Sequence, residues 1–283
     1  MTRVLVTGAG GMLGREVVAV ARARGHECVA LAHGELDVTD EQAVAERVAA
    51  QAPESIINCA AWTNVEGAEL TEDAALAVNG AGAGNLARAA AALGAHLVQV
   101  STDYVFDGTA TRPYVESDPT CALSAYGRTK LAGEVEVIAA SPEHAVVRTA
   151  WLFGPGGKNF VTTMLRLAAG AGGELAVVTD EVGCPTFTGH LAPRLLDFAE
   201  RRDSGVFHLA GAGHCSRNAF AKAIFEQAGL ALRVTETTQA VLAMLAPRPP
   251  WSVLASERGI EPLPRWEEGL AGYREAAPEV FGR

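Results

Sequence analysis

The sequence predicts an α/β fold: a doubly wound parallel sheet with helices on both faces, followed by a smaller, partly discontinuous C-terminal domain. Three observations predict it. Over the first two thirds, short β-branched runs alternate with alanine-rich helical stretches, the pattern of a parallel sheet covered on both sides. A glycine-rich turn separates the first strand from the first helix. The length of 283 residues suits one large α/β domain with an appendage and is ample for a buried core.

Taken in order, the expected strands are Arg3–Thr7, Glu27–Leu31, Ser55–Asn58, 96–101, Ala145–Thr149, 175–178 and 206–209, each bounded by turn residues or helical segments. Helices are expected over 15–24, 41–50 and 73–93, with Gly94 as a C-terminal cap of the last. After Thr149 the chain is punctuated by Gly-Pro-Gly-Gly at 154–157, Gly-Cys-Pro-Thr at 183–186 and Pro-Arg-Pro-Pro at 247–250, rigid loops suited to shaping a pocket. Residues 1–150 are therefore expected to form a nucleotide-binding domain. Residues 151–283 mainly form a substrate domain, with 187–210 returning to the first sheet.

Composition narrows the class. An apolar fraction of 49% with 20% charged residues is ordinary for a globular protein, and no apolar run is long enough to span a membrane. The chain opens directly on a strand-like run rather than a leader pattern, so a cytoplasmic location is expected. Its five cysteines are scattered and never form Cys-x-x-Cys, which argues against disulfides or structural zinc, and no metal site is expected. A net charge of −10 opposes nucleic-acid binding. The expected assembly is a monomer or homodimer.

The first strand runs into Thr7-Gly8-Ala9-Gly10-Gly11-Met12-Leu13-Gly14. Gly8 permits a tight turn, Gly11 lets backbone approach a pyrophosphate, and Gly14 lets the helix pack on the strand, which makes the fold Rossmann-type. Beyond the second strand, where an acid selects NAD and a basic residue NADP, stands Leu31-Ala32-His33-Gly34-Glu35. No acid lies directly at the strand end, so NADPH is the expected cofactor, with NADH possible. His33 is either a phosphate donor or a solvated loop histidine. Asp37 is placed to accept from an adenine amino group, or else is a turn or cap residue. The third strand ends in Asn58-Cys59-Ala60-Ala61 with Thr63 behind, small residues that suit cofactor approach or close packing.

Tyr126 and Lys130 stand four residues apart, on one face of a helix. A neighbouring cation would lower the tyrosine pKa, and the phenol can give its proton to a ketone oxygen as hydride reaches carbon. The lysine can also bond the cofactor ribose. Only three lysines occur, at 130, 158 and 222, so the pairing is informative. Upstream, Ser101-Thr102-Asp103-Tyr104 places hydroxyls at the carboxyl end of a strand, where open α/β sheets bind ligands. Thr102 either polarises the carbonyl or satisfies local backbone, and Asp103 is suited to a sugar hydroxyl.

With these residues in view, the chain resembles extended short-chain dehydrogenases, and within them the dTDP-4-dehydrorhamnose reductase family. The resemblance spans almost the whole chain. It rests on the Gly8/Gly11/Gly14 loop, Leu36-Asp37-Val38-Thr39-Asp40, Asn58-Cys59-Ala60-Ala61-Trp62-Thr63, residues 101–106 and 126–134, Arg148-Thr149-Ala150-Trp151 and Gly183-Cys184-Pro185-Thr186. It implies a catalytic set of Thr102, Tyr126 and Lys130. It also implies a cofactor lining of Gly8, Gly11, Met12, Leu13, Asp37, Val38, Ala60, Ala61 and Thr63. Asp103, Trp151 and Arg248 would then face a nucleotide-sugar. The implied reaction reduces the 4-keto group of a nucleotide-linked 6-deoxyhexose, dTDP-4-dehydro-L-rhamnose to dTDP-L-rhamnose.

Departures are local. The family commonly carries Pro and Asn where this chain has Ala122 and Ser124, and a basic residue in place of His33. Related 4,6-dehydratases follow the strand-end Thr-Asp with Glu, whereas Tyr104 stands here, which favours a simple ketoreductase. The alternatives are a 4-ketoreductase of another nucleotide-deoxysugar and a non-catalytic regulatory subunit of the same fold. Intact Thr102, Tyr126 and Lys130 argue against the second.

Overall fold

The computed structural model describes residues 2–282. Its centre is a six-stranded parallel sheet of β1 (Arg3–Thr7), β2 (Glu27–Leu31), β3 (Ser55–Asn58), β4 (His96–Thr102), β5 (Ala145–Thr149) and β6 (Gly205–His208), in the order β6-β5-β4-β3-β1-β2. Alternate strand residues feed two cores. Val4, Val6, Ile57, Val98, Val100 and Val147 pack with helices α1 (Met12–Ala23) and, later in the chain, Thr188–Arg201. Leu5, Ile56, Leu97 and Val146 face the opposite way, towards α2 (Glu41–Gln51), α3 (Gly82–Ala92) and α4 (Ala125–Ala140). Burial on both faces is why these strands read as unbroken apolar runs rather than alternating ones.

The strand order reverses at β1, whose neighbours are β2 on one side and β3 on the other. A crevice opens at the carboxyl ends of strands around such a switch point. The Gly8 loop and the Cys59–Thr63 segment both emerge there. β6 lies beside β5 at the sheet edge, so helix α5 (Thr188–Arg201) and β6 bring the chain back to the first sheet.

The smaller unit is built on aromatic packing: Phe153, Phe187, Phe220, Phe225, Trp266 and Tyr273 share one core. Within it, Glu174–Val178 pairs in parallel with Arg233–Thr237. The strand expected at 175–178 therefore belongs to this two-stranded sheet and not to the central one. The helix expected over 73–93 is interrupted: Glu72–Leu76 passes through a π-helical turn at Ala77–Ala81 before α3 begins. Asn79 sits in that turn, its side-chain amide donating to the Trp62 carbonyl (3.2 Å) and the Thr129 hydroxyl (3.1 Å).

Candidate active site

At the end of β1 the chain turns too tightly for side chains. Gly8 has φ +65°, a Cβ there would lie 2.5 Å from the Ala60 nitrogen, and a Cβ on Gly14 would lie 2.2 Å from the Gly8 carbonyl oxygen. Gly11 caps α1 without any side-chain hydrogen bond, leaving the first-turn amides of Met12, Leu13 and Gly14 for an anion. This cradle fits the diphosphate of a dinucleotide. The Leu13 side chain is buried in the core, so its amide is the group it presents, while Met12 lies beneath Gly157 of the 154–157 loop.

Around the cradle, Ala60 and Ala61 are half-buried and Thr63 is exposed. The Ala60 amide donates to Asn58 Oδ1 (3.0 Å), and the Trp62 amide donates to Asn79 Oδ1 (2.9 Å), which fixes this segment. His33 is exposed past β2. Glu35, passed over in the sequence because it lies four residues beyond the strand, folds back so that its carboxylate accepts the Ala32 amide at 2.8 Å. An acid thus does stand at the end of β2 in space. Asp37 accepts from both the amide and hydroxyl of Thr39, contacts that hold its carboxyl below the usual range. Val38 turns inward to the core against Gly82, away from the cradle surface.

The proposed chemical groups meet at the carboxyl end of β4. Ser124 caps α4, its Oγ accepting the Gly127 amide at 3.1 Å, and this helix start presents Tyr126 beside Thr102. Burial pushes the Tyr126 phenol above its ordinary range; the nearby Asp103 and Tyr104 add to this, and the Thr102 hydroxyl beside it opposes it. Lys130 is buried, and its Nζ donates to the Val100 carbonyl at 2.7 Å. Burial lowers its pKa to about 8, against the opposing charge of Glu134. The expectation that Lys130 lowers the Tyr126 pKa is therefore corrected: the ammonium is turned to the Val100 carbonyl and is not among the groups that act on the phenol, whose shift is set by burial. The phenol remains protonated, the form that a proton donor needs.

Beside this group, Asp103 is buried, 2% exposed. Thr102 Oγ1 donates to its Oδ1 at 3.1 Å, and its Oδ2 has no partner of good geometry among the described residues. Burial raises its pKa to about 6, with Ser252 and Thr102 acting to lower it. An orphaned carboxylate oxygen here is an acceptor for a hydroxyl. Trp151 adopts φ +47°, an uncommon conformation for a bulky residue. Its ring rests where Gly183 lacks a side chain: a Cβ there would lie 2.5 Å from the indole. The Gly183-Cys184-Pro185-Thr186 motif thus makes room for Trp151, and the Thr186 amide donates to the Trp151 carbonyl at 3.2 Å. Arg248 is half-buried and paired with Glu66.

A family model described as "RmlD substrate binding domain" matches residues 1–277. The chain belongs to the RmlD family. Among RmlD relatives, the dTDP-4-dehydrorhamnose reductase of Mycolicibacterium smegmatis is 47% identical, covering 99% of this chain and 86% of that protein. That of Streptomyces griseus is 45% identical, covering 99% and 95%. A solved structure of dTDP-4-dehydrorhamnose reductase from Bacillus anthracis, in complex with NADP, superposes with a TM-score of 0.93 at 34% identity, covering 97% of this chain and 99% of that one. The family resemblance carried by the motifs is the one these comparisons bear out.

Arg217 and Glu181 of this RmlD-family chain were also not singled out by the sequence. The Arg217 guanidinium lies 3.4 Å from the Trp151 ring centroid and its Nε donates to buried Glu181 at 3.2 Å. Arg217 follows Cys215-Ser216 at a helix start, where no local pattern marks it as a partner of Trp151. Asn79 was legible in principle, since Asn-Gly in the middle of an alanine-rich run is a poor helical pair.

Proposed function

We propose that this chain uses NADPH, with NADH as a second donor, to reduce the 4-keto group of dTDP-4-dehydro-L-rhamnose to dTDP-L-rhamnose. The observation that carries the reading is the convergence of Thr102, Tyr126 and Lys130 on the switch-point crevice, next to the uncapped start of α1. When bound, the nicotinamide supplies the hydride that adds to the carbonyl carbon.

The protein's own residues supply the rest. Tyr126, held as a neutral phenol, gives its proton to the carbonyl oxygen, and Thr102 orients that oxygen by hydrogen bonding. The buried Lys130 ammonium offsets the negative charge that develops on Tyr126 once the proton has left. Asp103 accepts a sugar hydroxyl through its free oxygen. Arg248 answers the diphosphate, and Trp151, braced by Arg217, walls the sugar pocket. In this reading residues 1–150, with 187–210, hold the cofactor, and the remainder of 151–283 holds the nucleotide-sugar. Tyr104 in the place of a dehydratase's acid leaves no base for elimination. Among the described residues no helix is long and apolar enough to cross a membrane.

The test is oxidation of NADPH by the purified protein with dTDP-4-dehydro-L-rhamnose, the product identified by NMR, beside other dTDP-4-keto-6-deoxy sugars. Formation of dTDP-L-rhamnose at the highest kcat/KM supports the reading. Turnover confined to another sugar would replace the substrate. Cofactor binding without turnover of any of them would make the chain a non-catalytic member of its fold.

A further inference from the structure

One face of α4 docks on three consecutive residues of β4. Tyr126 meets Thr102, Lys130 donates to the Val100 carbonyl, and Glu134 accepts from the Ser101 hydroxyl. Spacings of four residues place the three side chains in a line along the helix. Ser101 and Arg148 are register partners on β4 and β5, so their side chains leave the same face of the sheet, and α4 lays Glu134 across both. Arg148 closes on the carboxylate with Nε at 3.0 and 3.1 Å and a terminal nitrogen at 2.7 Å. Glu134 and Arg148 are 2% and 5% exposed.

Such a pair is costly to bury, and a well-packed apolar pair of similar volume is often as stable or more so. Stability alone does not call for it. Its location does suggest a use, because Glu134 stands one helical turn beyond the buried Lys130 ammonium. We propose that Glu134 is a positioning residue for the reduction: clamped by Arg148 and Ser101, its carboxylate keeps Lys130 charged and in line with Tyr126. Removal of that charge leaves Lys130 to desolvation, which favours the neutral amine.

The titratable and charged groups around this centre are few. Cys59 at the end of β3 acts on Lys130 from the neighbouring strand, and burial holds its thiol up at about 12, so it is neutral in the working range. Tyr126 on the same helix is neutral as well. Arg148 on β5 is engaged by Glu134, and His208 on β6 stands 3.4 Å from Arg148, with its pKa lowered mainly by burial. Glu134 is the anion among them that opposes neutralisation.

The proposal rests on the reading of Tyr126 and Lys130 as the catalytic pair, but its first test does not. With three lysines in the chain, protein carrying carbon-13 at lysine Cε yields three resonances, and Lys130→Arg assigns the relevant one. In the cofactor-free parent, Lys130 is expected to titrate near about 8. In Glu134→Gln it should titrate lower by about one pH unit or more. The double variant Glu134→Gln/Arg148→Met removes both buried charges and covers the case in which the single variant does not fold. Its Lys130 should also titrate below the parent, because the anion that acts on Lys130 is lost. A double variant that titrates with the parent overturns the proposal, since a role limited to packing gives that result. The alkaline limb of kcat/KM should move down with the titration. A shifted titration with an unmoved limb instead removes Lys130, and Glu134 with it, from the reduction.

Discussion

Arg248 is paired with Glu66 at 2.7 Å, and the same carboxylate accepts the Leu245 and Ala246 amides, so one acid fastens both the charge and the backbone of this segment. The guanidinium is thereby fixed in place rather than free in solvent. The proposed contact from Arg248 to a diphosphate would be made in ground and transition states alike, so Arg248→Ala is expected to raise KM roughly tenfold or more while kcat stays close to the parent value. Steady-state kinetics decide this; an unchanged KM with a collapsed kcat contradicts it.

Two opposed side chains beyond β2 are proposed to set cofactor choice. Exposed His33 can donate to a 2′-phosphate, whereas the Glu35 carboxylate on the Ala32 amide repels one and suits a ribose hydroxyl. NADPH is expected to serve at least as well as NADH, with His33→Ala lowering the NADPH/NADH ratio of kcat/KM and Glu35→Gln raising it. Equilibrium binding of each nucleotide should move in the same direction. A strong NADH preference that neither variant alters would remove both residues from the selection.

Asp103 carries a cost that rises with pH. Its folded pKa of about 6 lies above the ordinary 3.8, so the native state binds more protons than the unfolded chain between those values. Stability associated with this group is whole below about pH 4 and is lost as pH rises through about 6. Asp103→Asn is therefore expected to be more stable than the parent at pH 7, by on the order of 2–3 kcal/mol, with the gain disappearing near pH 4. Its kcat/KM should fall, because the sugar hydroxyl loses its acceptor. Thermal unfolding across pH gives the check, and a gain that is constant with pH contradicts it.

Much of the fold was legible because the signal is local. Val4, Leu5 and Val6 feed opposite cores in turn, which leaves an apolar run in the sequence, and the Gly8/Gly14 contact demands residues without side chains. The strand at Glu174–Val178 was recognisable as a strand, but nothing in those residues says that its partner is Arg233–Thr237 rather than β5. The same limit hid Arg217, Glu181 and Glu66, whose partners lie far away along the chain. Lys130 shows a different limit. Its spacing from Tyr126 was readable, yet the depth of burial that governs both pKa values belongs to the assembled fold.

The most direct measurement is single-turnover reduction by Tyr126→Phe, with cofactor and nucleotide-sugar binding determined separately. The substitution keeps the ring and removes the one group proposed to protonate the carbonyl oxygen. Positioned acid catalysis is worth roughly a hundred- to ten-thousand-fold, about 3–5 kcal/mol of barrier. The rate should fall by that factor while both ligands bind as they do to the parent. A folded Tyr126→Phe protein that binds both and reduces the 4-keto group at nearly the parent rate would show that Tyr126 is not the proton donor.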